Sequence, residues 1–264
     1  MNQDERAPFV RALQRARTSA YVPGEFVEQE SFMRASEIRA LAERAAITPG
    51  VSVLDLCCGI AGPGRFITRE LGCTYLGVDS SAGACAIARE RAGDLPCRFE
   101  VARIPPIPGG RFDVVLLFET MLAFRDKEAL LLGISQALRP EGRFAFTMEE
   151  GLPLTEAERE RMPEADTVWL TSLEEMLASL ERAGLRVRWQ EDWSQSHRAV
   201  AESLLNASAA DSTAIARQIG PRALEDLLAA HRLWSDWLRD GRVRKFALVA
   251  EPASREWSVP GSNR

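Results

Sequence analysis

Short apolar runs alternate with amphipathic stretches through the middle of the chain. Five runs predict strands: VSVLDL (51–56), CTYLGV (73–78), CRFEV (97–101), FDVVLLF (112–118) and RFAFTM (143–148). Stretches with helical spacing of apolar residues, such as AGACAIARERAG and KEALLLGISQAL, lie between them. Continuous apolar runs are typical of strands buried on both faces, and their alternation with helices indicates parallel crossovers. The pattern therefore predicts an α/β fold with a doubly wound sheet.

The flanking segments predict a different organisation. PFVRALQRA and RASEIRALAERAAI predict helices on either side of the loop YVPGEFVEQESFM. After the polar stretch 147–169, which we expect to cover a site, TSLEEMLASLERAGL predicts another helix. RVRWQEDW and RVRKFALVAEP predict two final strands with a helical block between them. We therefore divide the chain into an N-terminal helical lid (1–46), a main domain (47–252) with a helical insertion (193–240) that covers the substrate, and a flexible tail (253–264).

Composition and charge exclude several classes of partner. The 264 residues are 46% hydrophobic and 27% charged, which suits one large domain with a packed core. The net charge is −5 and no long block of Lys or Arg occurs, so we expect no nucleic-acid partner. No apolar run approaches the ~20 residues of a membrane span and the N-terminus lacks an apolar signal core, so we expect a cytoplasmic protein. Five cysteines without a C-x-x-C pair, and two histidines, predict free thiols and no metal site.

The stretch VSVLDLCCGIAGPGRFITREL (51–71) predicts a ligand-binding turn between a strand and a helix. Its glycines follow the spacing G-x-x-G-x-G, whereas a dinucleotide fingerprint requires G-x-G-x-x-G. Asp55 ends the strand, where a carboxylate would repel a pyrophosphate but would suit a ligand with a positive charge and an ammonium group. The turn therefore favours S-adenosylmethionine over a nicotinamide cofactor.

The sequence LDLCCGIAGPGRFI resembles motif I of the class I S-adenosylmethionine-dependent methyltransferases, usually D-x-G-x-G-x-G. The AGPGR variant is similar to the branch that methylates sterols, quinones and natural products. The resemblance covers residues 21–252 and implies a Rossmann-like sheet of seven strands, mostly parallel with the last strand antiparallel. It places Asp55, Cys57, Gly59 and Ala61 at the cofactor. Cys57 and Ala61 replace family glycines, and both are small enough for a close approach of the backbone.

Further cofactor contacts follow from the resemblance. Asp79 lies 24 residues after Asp55 and matches the acid that binds the ribose hydroxyls, with Ser80 next to it. Glu119 follows the fourth strand, at the position beneath the sulfonium. The alternative for Asp79 is a solvated turn aspartate, and the alternative for Glu119 is an ordinary carboxylate at a helix start.

Two elements depart from the family pattern or match it weakly. Ala102, Arg103 and Ile104 stand where an acid usually binds the adenine amine, so backbone groups or stacking by Arg103 would have to replace that acid. Tyr21 and Gln29 match residues that close over the methionine end in some members. Ordinary packing of an entry helix is the alternative for this pair.

Candidate catalytic residues lie near the predicted carboxyl edge of the sheet. His197 follows the sixth strand and is the first candidate for a general base, with Glu119 as its competitor. We expect His231, on an apolar helical stripe, to be a half-buried core residue. All six tryptophans lie at or after Trp169, which favours a pocket for an apolar or planar acceptor, although helix packing would explain them equally well.

The resulting functional hypothesis is transfer of a methyl group from S-adenosylmethionine to a small-molecule acceptor, an apolar or aromatic secondary metabolite. The alternative is a protein of the same fold that binds the cofactor without methylating, as a cyclase or scaffold. A nicotinamide-dependent oxidoreductase is disfavoured by the glycine spacing and by Asp55. The acceptor atom stays open, and we expect a monomer or a homodimer.

Overall fold

The computed structural model describes residues 10–253, so the predicted tail lies outside the described residues except for Ala253. Seven strands are present: β1 (Ser52–Leu56), β2 (Thr74–Asp79), β3 (Cys97–Val101), β4 (Phe112–Leu117), β5 (Leu138–Glu150), β6 (Leu185–Asp192) and β7 (Arg244–Pro252). Ten α-helices accompany them: α1 (Arg11–Ala20), α2 (Ala35–Arg44), α3 (Gly62–Leu71), α4 (Ala82–Ala92), α5 (Lys127–Ala137), α6 (Glu156–Arg161), α7 (Leu173–Arg182), α8 (Ser194–Ala210), α9 (Ser212–Ile219) and α10 (Pro221–Asp240). Short 3-10 turns span Met121–Ala123 and Ala165–Thr167.

The strands form one sheet in the order β3-β2-β1-β4-β5-β7-β6. All neighbours from β3 to β5 pair in parallel, whereas β7 pairs antiparallel with both β5 and β6. The predicted seven-stranded, mostly parallel sheet with an antiparallel last strand is confirmed. Because the carboxyl ends of parallel strands share one edge, the residues after β1, β2, β4 and β5 meet there.

Alternation along β5 divides its side chains between the two faces of the sheet. Phe144, Phe146 and Met148 are fully buried in one apolar cluster. Ala145 is fully buried in the cluster on the other face, and the alternation carries Thr147 and Glu149 to that same face. The second face thus changes from apolar to polar as β5 approaches the carboxyl edge.

Helices cover the polar end of that face. The predicted helical insertion consists of α8, α9 and α10, and α1 packs against α8 and α9. The loop 21–33 connects α1 to α2 and lies over the start of α3. A Cβ built on Gly62 would lie 2.3 Å from the carbonyl oxygen of Val27, so that position accepts no side chain. No helix within residues 10–253 is both long and apolar enough to cross a membrane.

Several predicted boundaries differ from the structure by a few residues. We predicted a strand over 143–148, but β5 extends from Leu138 to Glu150 because its ends pair with β4 and β7. We also predicted the first helix over residues 8–16, of which 8 and 9 lie outside the described residues, and α1 runs from Arg11 to Ala20.

Candidate functional site

The turn after β1 has an unusual backbone conformation. Cys57, Gly59 and Ala61 all adopt positive φ angles, of 59°, 54° and 56°. Glycine adopts this region freely, whereas an L-residue with a side chain pays roughly 1–2 kcal/mol for it. Cys57 and Ala61, predicted as tolerable replacements of family glycines, therefore adopt a backbone conformation that favours glycine, at some cost in stability.

This turn lines a cavity of about 250 Å³, which we call the turn cavity. A Cβ built on Gly59 would meet no described atom within 4 Å, so the cavity is open at that residue. Asp79 fixes the turn, because its Oδ2 accepts a hydrogen bond from the Gly59 N–H at 2.9 Å and its Oδ1 accepts from the Ser81 N–H at 2.8 Å. Seven predicted cofactor residues line the turn cavity: Gln29, Asp55, Cys57, Gly59, Ala61, Asp79 and Glu119.

Asp55 lies buried at the end of β1, with one neighbour on β2. The Tyr75 hydroxyl donates to Asp55 Oδ2 at 2.5 Å. Burial raises the pKa of Asp55 to about 7, the hydrogen bond from Tyr75 opposes this rise, and the charge of Asp79 adds to it. Gly64 makes room for this arrangement, because a Cβ there would lie 2.2 Å from the Tyr75 ring. Asp55 can therefore exchange a proton near neutral pH when a cation approaches.

Five predicted cofactor residues do not line the turn cavity, and four of them follow β2 or β3. Ser80 and Arg103 are exposed, and Ala102 and Ile104 are half-buried against the apolar cluster beneath α5. The Ala102 N–H donates to the Asp79 carbonyl at 3.0 Å, which keeps this segment beside the ribose-binding candidate. Their predicted contact with adenine stays a prediction.

A second cavity of about 340 Å³, the roof cavity, lies between the loop 21–33, the 162–168 segment and helices α8 and α10. Its apolar wall includes Phe32, Leu122, Met162, Val168 and Trp234. Tyr21 and His197 line this cavity rather than the turn cavity. The polar stretch predicted to cover a site contributes its 162–168 part.

The two cavities meet at four residues. Gln29, Glu30, Ser31 and Glu119 line both of them. Glu119 also accepts a hydrogen bond from the Phe32 N–H at 3.3 Å, so the loop 21–33 is tied to the residue at the junction. A group bound in one cavity would thus be adjacent to a group bound in the other.

A buried charged cluster forms the floor of the junction. Lys245 is 1% exposed, and its Nζ contacts Glu119 Oε1 at 2.5 Å and donates a hydrogen bond to Glu149 Oε1. Thr147 donates to Glu119 Oε1 at 2.9 Å. Burial would raise the pKa of Glu119, but the charges of Lys245 and His197 lower it. Burial raises the pKa of Glu149, against the attraction of Lys245.

His197 lies in the first turn of α8 and is fully buried, inside the site rather than at its rim. Its Nε2 lies 3.5 Å from Glu37 Oε2 and its Nδ1 lies 3.9 Å from Glu119 Oε2. Burial alone would raise the pKa of Glu37, but contacts with His197 and Ser196 lower it to about 2. The structure therefore brings the two predicted catalytic residues, His197 and Glu119, together.

Three further roof-cavity residues were missed or assigned differently by sequence reasoning. Lys245 and Glu149 were not predicted, although the alternation in FAFTMEE and RKFALV places both on the face of Ala145 and Ala247. His231 is half-buried, as expected, but it lines the roof cavity rather than the core. Burial lowers its pKa to about 4, so it is neutral at neutral pH.

The loop 21–33 is organised by its own polar side chains. Gln29 is 2% exposed, and its Nε2 donates to the carbonyls of Glu25 and Met33 at 2.8 Å each. The Tyr21 hydroxyl donates to the Ser31 carbonyl, while its ring packs against Val200 and Leu204 of α8. Both predicted closing residues therefore shape the loop over the junction.

Glu28 attaches this loop to the main domain. Its carboxylate contacts Arg65 of α3 and Arg91 of α4, at 2.5 Å each. These two ion pairs and the contact with Gly62 hold the loop over the turn cavity.

The donor set of the turn cavity fits S-adenosylmethionine. Asp55, Asp79 and Glu119 are acids placed around an open backbone turn, and such groups suit an ammonium, two ribose hydroxyls and a sulfonium. The residues that would hold the cofactor are therefore present, except for an acid at the adenine position, where Arg103 is exposed.

Comparison with known proteins agrees with this geometry. Residues 53–142 match the family described as "Methyltransferase domain". Phosphoethanolamine N-methyltransferase 1 of Arabidopsis thaliana is 33% identical over 109 residues, which are 40% of this chain and 22% of that protein. The chain thus spans about a fifth of the length of this relative.

Two solved structures share the fold. The [4+2]-cyclase SpnF matches with a TM-score of 0.74 at 22% identity, over 95% of this chain and 94% of that one. Phosphoethanolamine N-methyltransferase 2 of Haemonchus contortus, solved with phosphomonomethylethanolamine and S-adenosylhomocysteine, matches with a TM-score of 0.77 at 19% identity, over 95% of this chain and 60% of that one. At these identities the similarity concerns the fold. The family match, with motif I inside it, shows a methyltransferase domain of the class I S-adenosylmethionine-dependent type at residues 53–142.

Proposed function

We propose that the protein transfers a methyl group from S-adenosylmethionine in the turn cavity to a small-molecule acceptor in the roof cavity. The observation that carries this proposal is the junction, where Glu119 and residues 29–31 line both cavities. Methyl transfer is an in-line displacement, and alignment of its two reactants can contribute ~7–11 kcal/mol. Adjacent cavities with a shared wall provide that alignment.

Each acid around the turn cavity has a proposed part in holding the cofactor. Asp79 would accept from the ribose hydroxyls, because its two oxygens keep free lone pairs beyond the bonds to Gly59 and Ser81. Asp55 would pair with the ammonium group. Glu119, which Lys245 keeps ionised, would face the sulfonium. The cofactor supplies the reactive methyl group, and the chain supplies position and charge.

The loop 21–33 would act as a lid over both ligands. Excluding water fixes their geometry and protects the transfer. We expect hydrogen exchange of Tyr21–Gln29 to slow when S-adenosylhomocysteine binds. Equal exchange rates with and without it would contradict a lid.

The acceptor would be a molecule with an apolar or aromatic body, because Trp234, Phe32, Leu122 and Met162 line the roof cavity. His197 is the sequence-based candidate for removing its proton, and Glu149 is a candidate that only the structure reveals. The five free cysteines favour a reducing compartment, so we propose that the protein acts in the cytoplasm, as a monomer or homodimer.

The test is comparative product mass spectrometry. Purified protein is incubated with methyl-deuterated S-adenosylmethionine and extract of the producing cells. In the control reaction the protein is incubated with extract but without the labelled cofactor. We expect one or more small molecules to gain a labelled methyl group in step with release of S-adenosylhomocysteine. Cofactor binding without a labelled product would favour the cyclase or scaffold alternative instead.

A further inference from the structure

The roof cavity contains polar atoms that no described partner satisfies. Glu149 Oε2 and both ring nitrogens of His197 are buried without a hydrogen bond inside the described part of the chain. A buried polar atom without a partner is destabilising, so such atoms in residues that line a cavity point to a bound group that completes them. Glu149 Oε2 accepts hydrogen bonds and does not donate when ionised, so the group that completes it is a donor.

Lys245 determines which oxygen of Glu149 lacks a hydrogen-bond partner among the described residues. Its Nζ donates to Oε1, so that oxygen is held at the charged cluster and Oε2 is left for a ligand. Glu149 and Lys245 are direct partners in the antiparallel pairing of β5 with β7, which fixes both side chains on one face. The carboxylate is therefore oriented by rigid strands rather than by a loop.

Glu119 and Glu149 have different surroundings. Glu119 lines both cavities and lies beside Lys245, Thr147 and His197. Glu149 lines the roof cavity but not the turn cavity. A lysine carries one positive charge, so it cannot fully neutralise two ionised carboxylates that contact it. Pairs of acids with environments that push their pKa values apart divide the roles of charge partner and proton acceptor between them.

From this geometry we infer that the acceptor presents a hydroxyl or amine hydrogen to Glu149 Oε2, and that Glu149 takes this proton during methyl transfer. The acceptor's oxygen or nitrogen forms a bond to the methyl carbon while the carbon–sulfur bond breaks. The electron pair of that bond stays on sulfur, and the acceptor's proton moves to Oε2. The inference rests on the proposed function and assigns heteroatom methylation to the site.

His197 is less suited to this step. Carboxylate oxygens of Glu37 and Glu119 lie 3.5 and 3.9 Å from its two ring nitrogens, without a hydrogen bond to either nitrogen. Its place between two acids makes it a positioning residue that holds Glu119 and Glu37.

The first test is a binding experiment that requires no turnover. Phenol and toluene have similar shapes, but only phenol can donate a hydrogen bond. In protein saturated with S-adenosylhomocysteine, we expect phenol to bind at least tenfold more tightly than toluene, measured by ligand-observed NMR. In Glu149→Gln the amide oxygen stays at Lys245 and the NH₂ group replaces Oε2, so we expect the preference to disappear. Equal affinities in the wild type, no phenol binding, or an unchanged preference in the variant would overturn the inference.

The second test uses the labelled product. Glu149→Gln should lower turnover by about 10²–10⁴-fold while leaving affinity for S-adenosylmethionine within twofold of the wild type. Turnover of the wild type should rise with pH as Glu149 ionises, and the variant should lose this limb. The charges that act on Glu149 are those of Lys245, Glu119 and Lys127, and His197 lines the same cavity and serves as the comparison.

The matched control is Glu150→Gln, because Glu150 is the next residue on β5, lies on the opposite face and pairs with Arg244 at 3.0 Å. We expect this variant to keep wild-type turnover and pH dependence. A loss in Glu149→Gln at least tenfold larger than in His197→Asn supports the assignment, and the reverse order overturns it. If the wild type forms no methylated product but still prefers phenol, the proposed function fails while the donor-binding site stands.

Discussion

The turn cavity and the roof cavity differ in how the chain builds them. Seven consecutive residues, 57–63, supply much of the turn cavity, and Asp79 fixes their conformation from the neighbouring strand. The roof cavity combines side chains from the lid loop, the 162–168 segment, α8, α10, β5 and β7. A local motif therefore specifies one cavity, whereas tertiary packing specifies the other. The residues of the turn cavity can therefore be predicted from the sequence, whereas most of those of the roof cavity are identified only from the three-dimensional structure.

The largest expected effect concerns the cluster that only packing assembles. Lys245→Met should lower the free energy of unfolding by about 3–5 kcal/mol, because it leaves two buried carboxylates without their cation. Denaturant unfolding measures this change. Arg244→Met is the matched control, because its ion pair with Glu150 is half-exposed, and we expect it to cost below about 1 kcal/mol. A similar decrease in the free energy of unfolding in both variants would show that Lys245 stabilises the fold no more than Arg244 does.

The next prediction concerns the cavity that the motif builds. Asp79→Ala should weaken S-adenosylhomocysteine binding by about 1–3 kcal/mol, because the bonds to Gly59 and the proposed ribose bonds disappear together. Calorimetry measures the affinity. Asp113→Ala is the control, because Asp113 also accepts from a backbone N–H, that of Ser52, but lies away from both cavities. Equal affinity of Asp79→Ala and wild type would remove Asp79 from the cofactor site.

The pH dependence of stability distinguishes the two cavities further. The pKa of Asp55 is raised to about 7, above an unfolded value of about 3.9, so the folded state binds the proton more strongly. The stability that protonated Asp55 contributes is fully present below pH ~4. It is lost as the pH rises toward 7, by at most about 1.4 kcal/mol per pH unit. Asp55→Asn should flatten this slope in denaturant unfolding between pH 4 and 7. An identical slope in both proteins would contradict the raised pKa.

The smallest effect concerns the strained turn. Ala61→Gly should raise the free energy of unfolding by about 0.5–1 kcal/mol, because glycine adopts the φ of 56° without strain. Ala86→Gly, at an exposed position within α4, should instead lower it by about 0.8–1 kcal/mol. Thermal unfolding of both variants gives the comparison, and a destabilised Ala61→Gly would show that the strain is relieved elsewhere.

Sequence reasoning recovered the sheet and the motif turn because both depend on local patterns, whereas the lid stays a prediction. The mostly parallel sheet with its antiparallel last strand, and the place of Glu119 after the fourth strand, were implied by the family resemblance. Glu149 and Lys245 were missed because the predicted strand ended at Met148, and because a lysine in an apolar strand indicates burial only once its partners are known. His231 was expected in the core because the apolar stripe of α10 does not show which side faces a cavity.

The shared wall of the two cavities has a kinetic consequence. Residues 29–31 belong to one loop and border both cavities, so a single opening event would admit or release the ligand proposed for each cavity. We therefore expect ternary-complex kinetics, with intersecting double-reciprocal lines when cofactor and acceptor are varied. The ion pairs of Glu28 with Arg65 and Arg91 would set the opening rate. Raising the ionic strength should then speed release of both products by the same factor.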